Sequence, residues 1–337
     1  MKIYKHSQYS ITMLRGIKVV EVAPFYPAPF CARLLLLLGA EVIKIEPPTG
    51  DPARTFGEVF ASFNAGKKII KLDLKSDDDR SKFFEIVKDA DVLIEGYRPG
   101  VAKRLGIDYE SVKRVNPKII YCSISAFGQK SKLKDLPAHD LNILGLAGIL
   151  EISGFRDPNV QFSDFASAVY AALLILAALF EREKTGSGRY IDVSMFHSAL
   201  FSIPIHSTSI LNGVAVSEIV KNPVYDIYKT SDGYITIGIV SEEHFWRSLC
   251  RELELDFDFS LSESFKRYDE VKKAIENKLK DMTTKDILDK LQKAGIPAFE
   301  VLSLKDIKRI EDVIGEELVE EVEFEGKKVK LIKPFFK

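Results

Sequence analysis

The sequence predicts an α/β protein: a larger domain on a parallel β-sheet and a smaller α+β domain later in the chain. Three observations carry this. Short β-branched runs alternate with amphipathic segments through Ser125, the pattern of βαβ units whose sheet is covered on both faces. Past about Asn222 the texture changes to a hairpin signal followed by helices. The length, 337 residues, suits two domains at about 150 residues each.

The elements follow in order. Ile17 to Ala23 is a β-branched run, Phe30 to Leu38 is apolar and closed by Gly39 at a helix C′ position, and Glu41 to Glu46 is a second strand. Ile69 to Leu74 reads as a strand. Ser76 then caps a helix whose first turn, Asp77-Asp78-Asp79, suits the positive end of the helix dipole. Asp91 to Tyr97 is a strand, Tyr109 to Val115 a helix, and Lys118 to Ser125 a strand. From Asp164 a helix apolar on nearly every side runs to about Lys184 and stops at Gly186, which places it inside a protein or an oligomer. Tyr225 to Lys229 and Tyr234 to Val240 flank Ser231-Asp232-Gly233 as a hairpin. Helices follow at Glu242 to Glu252, Glu270 to Met282 and Lys285 to Lys293, the last started by Thr283 or Thr284. The tail from Val301 holds a further helix and a hairpin at Glu325-Gly326.

Hydrophobic residues make up 46% and charged residues 29%, an ordinary globular composition. With 48 basic residues against 49 acidic ones, the chain does not read as a protein held to nucleic acid mainly through phosphates. The apolar stretch Phe165 to Phe180, broken by Ser167, falls short of a bilayer span, so no membrane partner is expected. The N-terminus lacks the apolar core of a secretory signal, and residues 1–13 read as an extension, with Met13 a candidate start. Cys31, Cys122 and Cys250 fit neither a disulfide framework nor a metal motif, so the expectation is a cytoplasmic protein without a metal site.

The loop after the first strand, Pro24-Phe25-Tyr26-Pro27-Ala28-Pro29, has none of the glycines that let a backbone approach a pyrophosphate, which argues against a nicotinamide dinucleotide site. Walker A, HExxH, GxSxG and paired CxxC patterns are all missing from the sequence.

Several segments resemble the family III CoA-transferases (the CaiB/BaiF superfamily), and within them the α-methylacyl-CoA racemases. They are LRGIKVVEVAPFYPAPFCARLLLLLGAEVIKIEPP, KKIIKLDLKS, ADVLIEGYRPGVAKRLGIDYE with NPKIIYCSISAFGQ, PAHDLNILGLAGIL, EKTGSGRYIDVSMF and YDIYKTSDGYITIGIVSEEHF. The resemblance implies coenzyme A as part of an acyl-CoA substrate, no prosthetic group, and a homodimer whose protomers interlock like rings. It also implies a Rossmann-like large domain at 14–205 completed by 301–337, with a linker and small domain at 206–300.

Coenzyme A carries phosphates, which favour Arg and Lys. By the resemblance its contacts are Leu72, Lys75, Gly96, Tyr97, Arg98 and Arg104. Taken alone, Lys75 and Arg104 read equally as solvated surface charges. Pro47 stands where related proteins often carry arginine, so Arg54, Lys67 and Lys68 are the candidates to replace it.

The resemblance places the chemistry on His139, in His139-Asp140-Leu141-Asn142, and on Asp164, 25 positions later. Inverting a carbon α to a thioester requires proton removal from one face and delivery to the other, a task that suits an imidazole and a carboxylate on opposite sides. Glu242, with Glu243 as substitute, aligns with a glutamate that supports the histidine. Alone, Asp164 also reads as a plain helix N-cap and His139 as a structural residue. Ile143 replaces a tyrosine common in the racemases, which bears on the acyl pocket. The expected activity is therefore racemisation of 2-methylacyl-CoA thioesters, an isomerase of lipid metabolism. The alternatives are CoA transfer between carboxylic acids with Asp164 as nucleophile, and a silent CoA-binding protein.

Overall fold

The computed structural model describes residues 12–216 and 221–334, so almost all of the expected N-terminal extension lies outside the described residues. The chain divides into two units, one running to Ile203 and resuming at Val319, the other Pro204–Leu318.

The large unit is built on six strands: β1 (Lys18–Val22), β2 (Glu41–Glu46), β3 (Lys68–Lys71), β4 (Val92–Glu95), β5 (Ile120–Ser125) and β6 (Arg189–Ser194). They lie in the order β3-β2-β1-β4-β5-β6, and every pairing is parallel. The order reverses between β1 and β4, the switch point at whose carboxyl ends open α/β sheets of this kind form their ligand crevice. The helices that matter here are α1 (Pro27–Leu37), α2 (Glu58–Asn64), α3 (Asp77–Lys88), α4 (Val101–Arg104), α5 (Tyr109–Val115), α6 (Asp140–Leu146), α7 (Ile149–Ile152) and α8 (Phe162–Thr185).

Strand periodicity sorts the core into two layers. Val19, Val92, Ile94, Ile120 and Cys122 pack on Cys31 and Leu35 of α1 and on Ala168, Ala171 and Ile175 of α8. Val20, Val22, Leu93 and Tyr121 face the other way, onto Phe83 and Val87 of α3 and Val112 of α5. Each fully buried aliphatic side chain contributes about 1.5–3 kcal/mol relative to exposure.

Boundaries shift from the sequence reading in understandable ways. Helix α1 starts at Pro27, because proline at the first helical position gives up only a donor that would be unpaired there. Strand β6 was not expected: its two charges, Arg189 and Asp192, dilute the apolar signal of an edge strand.

Helix α8 spans 24 residues and ends on Gly186 at φ 70°. It is longer than the apolar stretch suggested, long and apolar enough to cross a bilayer by length and composition, with half of its apolar window buried in the fold. Small residues let one side approach the sheet, while Phe165, Leu173 and Phe180 on the other are 47%, 59% and 65% exposed.

The C-terminal segment rejoins the large unit at Val319, not at 301. It does not extend the six-stranded sheet. Strands β10 (Val319–Phe324) and β11 (Lys327–Ile332) form a separate antiparallel hairpin, turned at Glu325 and Gly326 with φ of 50° and 79°. Val329 and Leu331 of the hairpin pack on Ala61 and Ala65 at α2.

In the other unit, β7 (Tyr225–Lys229), β8 (Tyr234–Gly238) and β9 (Ala298–Glu300) form an antiparallel sheet in that order. The pairing of β9 with β8 keeps residues just past 300 in this unit. Its core gathers Trp246, Leu249, Ile275, Ile287 and Leu291. Thr283 is the N-cap of the helix Thr284–Lys293, its hydroxyl accepting from the Asp286 amide.

Candidate active site

Three segments of the large unit converge at the crevice: the loop after β1, the start of α6 and the start of α8. The β1 loop turns at Phe25, whose φ of 65° is a left-handed conformation that a bulky residue adopts only when held there. This turn sets the Phe25 ring edge-on to His139, with ring centroids 6.3 Å apart. Tyr26 stacks on Phe63 at 4.7 Å, and its hydroxyl is pushed up to about 12 by burial, with the Asp164 and Asp140 carboxylates adding to the effect.

His139 is the N-cap residue of α6, and its backbone N–H donates to Asn142 Oδ1 at 3.0 Å. Its side chain is exposed. Asp140, next in sequence, reaches across to α8. Its Oδ1 accepts from the Ser163 N–H at 2.6 Å, the Ser163 hydroxyl at 2.5 Å and the Asp164 N–H at 3.3 Å. Asp140 therefore performs the capping that a local side chain would otherwise perform, and Asp164 is not an N-cap, because α8 already begins at Phe162. The Asp164 carboxyl is raised to about 7, first by burial and then by the negative charge of Asp140. A carboxyl with that balance exchanges its proton near neutrality, about half ionised there, and is more basic than a free aspartate.

The expected CoA residues line the carboxyl edge of the same sheet. Leu72 extends β3, its N–H donating to Glu46 O at 2.9 Å, and its side chain is core. Gly96 follows β4 where a Cβ would stand 2.9 Å from Ala23 Cβ, so only glycine lets this loop pass the β1 loop. Tyr97 is partly buried, its hydroxyl raised to about 12 by burial and by Glu95 and Asp51. Lys75, Arg98 and Arg104 are exposed. None of these three cations is in a salt bridge among the described residues.

The structure does not supply a phosphate ligand from the three candidates at the Pro47 position. Arg54 is bound to Glu46 and Glu325, at 2.9 Å in each case, and lies over the Phe60 ring. Lys67 is buried against Glu21. Lys68 begins β3 and so lies at the amino edge of the sheet, away from the crevice. Lys71, which the sequence reading passed over, also reaches this segment: its Nζ donates to Pro48 O at 3.3 Å.

Ile143 is fully buried and packs with Phe127, Ala147 and Met195 beneath α6. Glu242 lies in the other unit and turns back on its own loop. Its Oε2 accepts from the Ser241 and Val240 amides at 2.9 and 3.0 Å, which hold the carboxyl below its usual range. Glu243 accepts from the Leu261 N–H and pairs with Arg247.

Two groups near the crevice escaped the sequence reading. Glu95, at the end of β4, is buried and raised to about 7 by burial, against the opposing hydrogen bonds from Ser123 and the Tyr97 N–H. Beneath the β1 loop, Glu21, Lys44, Asp51 and Lys67 form a buried ionic cluster. Its signal was a charge inside otherwise apolar strands, Glu21 in KVVEV and Lys44 in EVIKIE. Among the described residues no group of three or more His, Cys, Asp or Glu side chains is arranged to hold a metal ion.

Comparison with known proteins agrees with this architecture. The chain is similar to a CAIB/BAIF family protein from Brucella suis, with a TM-score of 0.83, 28% identity, and 96% of this chain and 91% of that one covered. It is 35% identical to an acetyl-CoA:oxalate CoA-transferase from Acetobacter aceti over 86% of this chain and 81% of the relative. It is 32% identical to a human alpha-methylacyl-CoA racemase over 73% and 66% of the two chains. The model of CoA-transferase family III matches residues 14–337, and the chain belongs to that family.

Proposed function

We propose that the protein transfers coenzyme A between carboxylic acids, with Asp164 as the nucleophile. The observation that carries this reading is the Asp164 carboxyl itself, set at a helix start by Asp140 and raised to about 7. The similarity to a CoA-transferase at 35% identity supports it and shifts the balance away from racemisation. In the proposed sequence the Asp164 carboxylate attacks the acyl-CoA carbonyl, forming a mixed anhydride and releasing the CoA thiolate. The thiolate attacks the aspartyl carbonyl, giving an enzyme thioester and the free acid. A second carboxylate displaces the thiolate from the aspartyl carbonyl, and the thiolate then attacks the new acyl group, which regenerates Asp164. Lys75, Arg98 and Arg104 would meet the phosphates, with Leu72, Gly96 and Tyr97 against the rest of the cofactor portion of the substrate.

A second reading, 2-methylacyl-CoA racemisation, is favoured by one observation: His139 is exposed beside the residue that holds the Asp164 helix. We propose in addition that a second copy of the chain, interlocked with the first, covers Phe165, Leu173 and Phe180 and brings Glu242 to the site.

The deciding experiment incubates the protein with acetyl-CoA and a panel of short carboxylic acids including oxalate, and in parallel with a 2-methylacyl-CoA in deuterated water. New acyl-CoA species without α-deuterium uptake are expected; deuterium uptake without transfer would establish the racemase instead. A monomeric mass by light scattering at micromolar concentration would overturn the dimer.

A further inference from the structure

The segment from Ala23 to Pro29, the β1 loop and the first turn of α1, delivers Phe25 to His139 and Tyr26 to the neighbourhood of Asp164, and it does so through a conformation that costs energy at Phe25. Such a conformation persists only where the surroundings over-determine it. Three buried side chains grip this loop. Lys44 Nζ donates to Ala23 O at 2.7 Å, Asp51 Oδ1 accepts from the Phe25 N–H at 3.3 Å, and Lys67 Nζ donates to Pro29 O at 2.8 Å. Glu21 ties the two lysines together, at 2.6 Å from Lys44 and 2.5 Å from Lys67, and Lys44 also pairs with Asp51 at 2.9 Å.

We propose that this Glu21, Lys44, Asp51 and Lys67 cluster is the positioning device of the active site, with Lys67 as the residue that clamps the far end of the β1 loop. The inference rests on the reading of Asp164 and His139 as the reacting groups. Two cations and two anions balance in the cluster, yet buried ion pairs are poor stabilisers compared with well-packed apolar side chains, because desolvation offsets most of their attraction. What the cluster does supply is directional hydrogen bonds to three points of one loop.

Lys67 is faced by Glu21 from β1, Lys44 from β2, the Arg33 guanidinium and Cys31 thiol from α1, and Asn64 from α2. Burial lowers its ammonium to about 8 despite Glu21. The clamp is therefore charged at neutral pH and weakens as pH rises past that value, because the neutral amine loses its attraction to Glu21 and the charge that strengthens its hydrogen bond to Pro29 O.

The test measures amide hydrogen exchange at Ala23, Phe25, Tyr26 and Ala28, the residues of 23–29 that carry a backbone N–H, in the full chain, with steady-state kinetics alongside, for wild type, Lys67→Met and Glu21→Gln/Lys67→Met. The double variant again balances the cluster's charge but still lacks the Pro29 contact. In both variants exchange in 23–29 should rise by about tenfold or more over wild type while β4 and β5 stay unchanged. The value of kcat should fall about 100-fold with KM for acyl-CoA nearly constant, as expected for misplaced reacting groups. Wild-type exchange, corrected for intrinsic amide rates, should step upward near pH 8, and Lys67→Met should show no step.

Unchanged exchange in the variants would overturn the proposal, as would a loosened loop with undiminished kcat, or a double variant that regains wild-type behaviour. If Lys67→Met does not fold, the double variant carries the test. If the wild type performs neither transfer nor α-proton exchange, the functional reading fails, and the exchange measurements still decide whether Lys67 clamps the loop.

Discussion

Asp140 and Asp164 share one helix start: Asp140 Oδ1 accepts from the Asp164 N–H at 3.3 Å, and its charge helps raise the Asp164 carboxyl to about 7. One side chain thus orders the Asp164 backbone and tunes the acidity of its carboxyl. The arrangement also ties the His139 loop to α8, since Asp140 follows His139 directly.

The two activities in contention diverge on substitution. Asp164→Asn should abolish CoA transfer, while His139→Ala leaves most of it, because anhydride formation needs the carboxylate alone. A hydroxylamine trap followed by mass spectrometry should label Asp164 during turnover. If instead both substitutions cost about 10²–10⁴-fold, two-base proton transfer is the better account.

Asp140→Asn should move the acid limb of the kcat profile to lower pH. The sign follows from the charges: a neutral neighbour removes repulsion, so Asp164 ionises more readily, although the part of the shift due to burial stays. Asp140→Ala should also lose the α8 cap and destabilise the fold by about 0.5–2 kcal/mol in denaturant titration. A limb that does not move would separate Asp164 from the observed titration.

Alanine at Arg98 or Arg104 should weaken CoA binding by about 1.5–3 kcal/mol per lost charge-assisted contact, measured by calorimetry. Arg54→Ala should leave CoA affinity unchanged and loosen the β10–β11 hairpin instead, since its guanidinium already joins Glu46 to Glu325. A large affinity loss in Arg54→Ala would return that residue to the phosphate site.

Glu95→Gln should change how stability depends on pH. The Glu95 carboxyl rises from 4.5 to about 7 on folding, so between those values the native state holds a proton that the unfolded chain has released. Stability therefore falls as pH rises through that window, by on the order of 3 kcal/mol for a shift of this size. Glu95→Gln should flatten this slope, and thermal unfolding across pH 4.5 to 8 measures it. An identical slope in the variant would assign the pH dependence elsewhere.

Much of this protein was legible as local pattern. The β-branched runs of β1, β2 and β5 and the caps at Ser76, Thr283 and Gly186 are short-range features, because strand runs and helix capping involve residues a few positions apart. Charge balance and the missing glycines of the first loop were equally visible, as were the segments that carry the family resemblance. Only the tertiary structure decided that Asp140, not Asp164, caps α8, that Arg54 and Lys67 are already engaged, and that Glu21 meets Lys44 and Lys67 under the β1 loop. Those contacts join residues from eight to 271 positions apart. Strand order and register bring such partners together, and no periodicity within either segment encodes which distant side chain its neighbour will be.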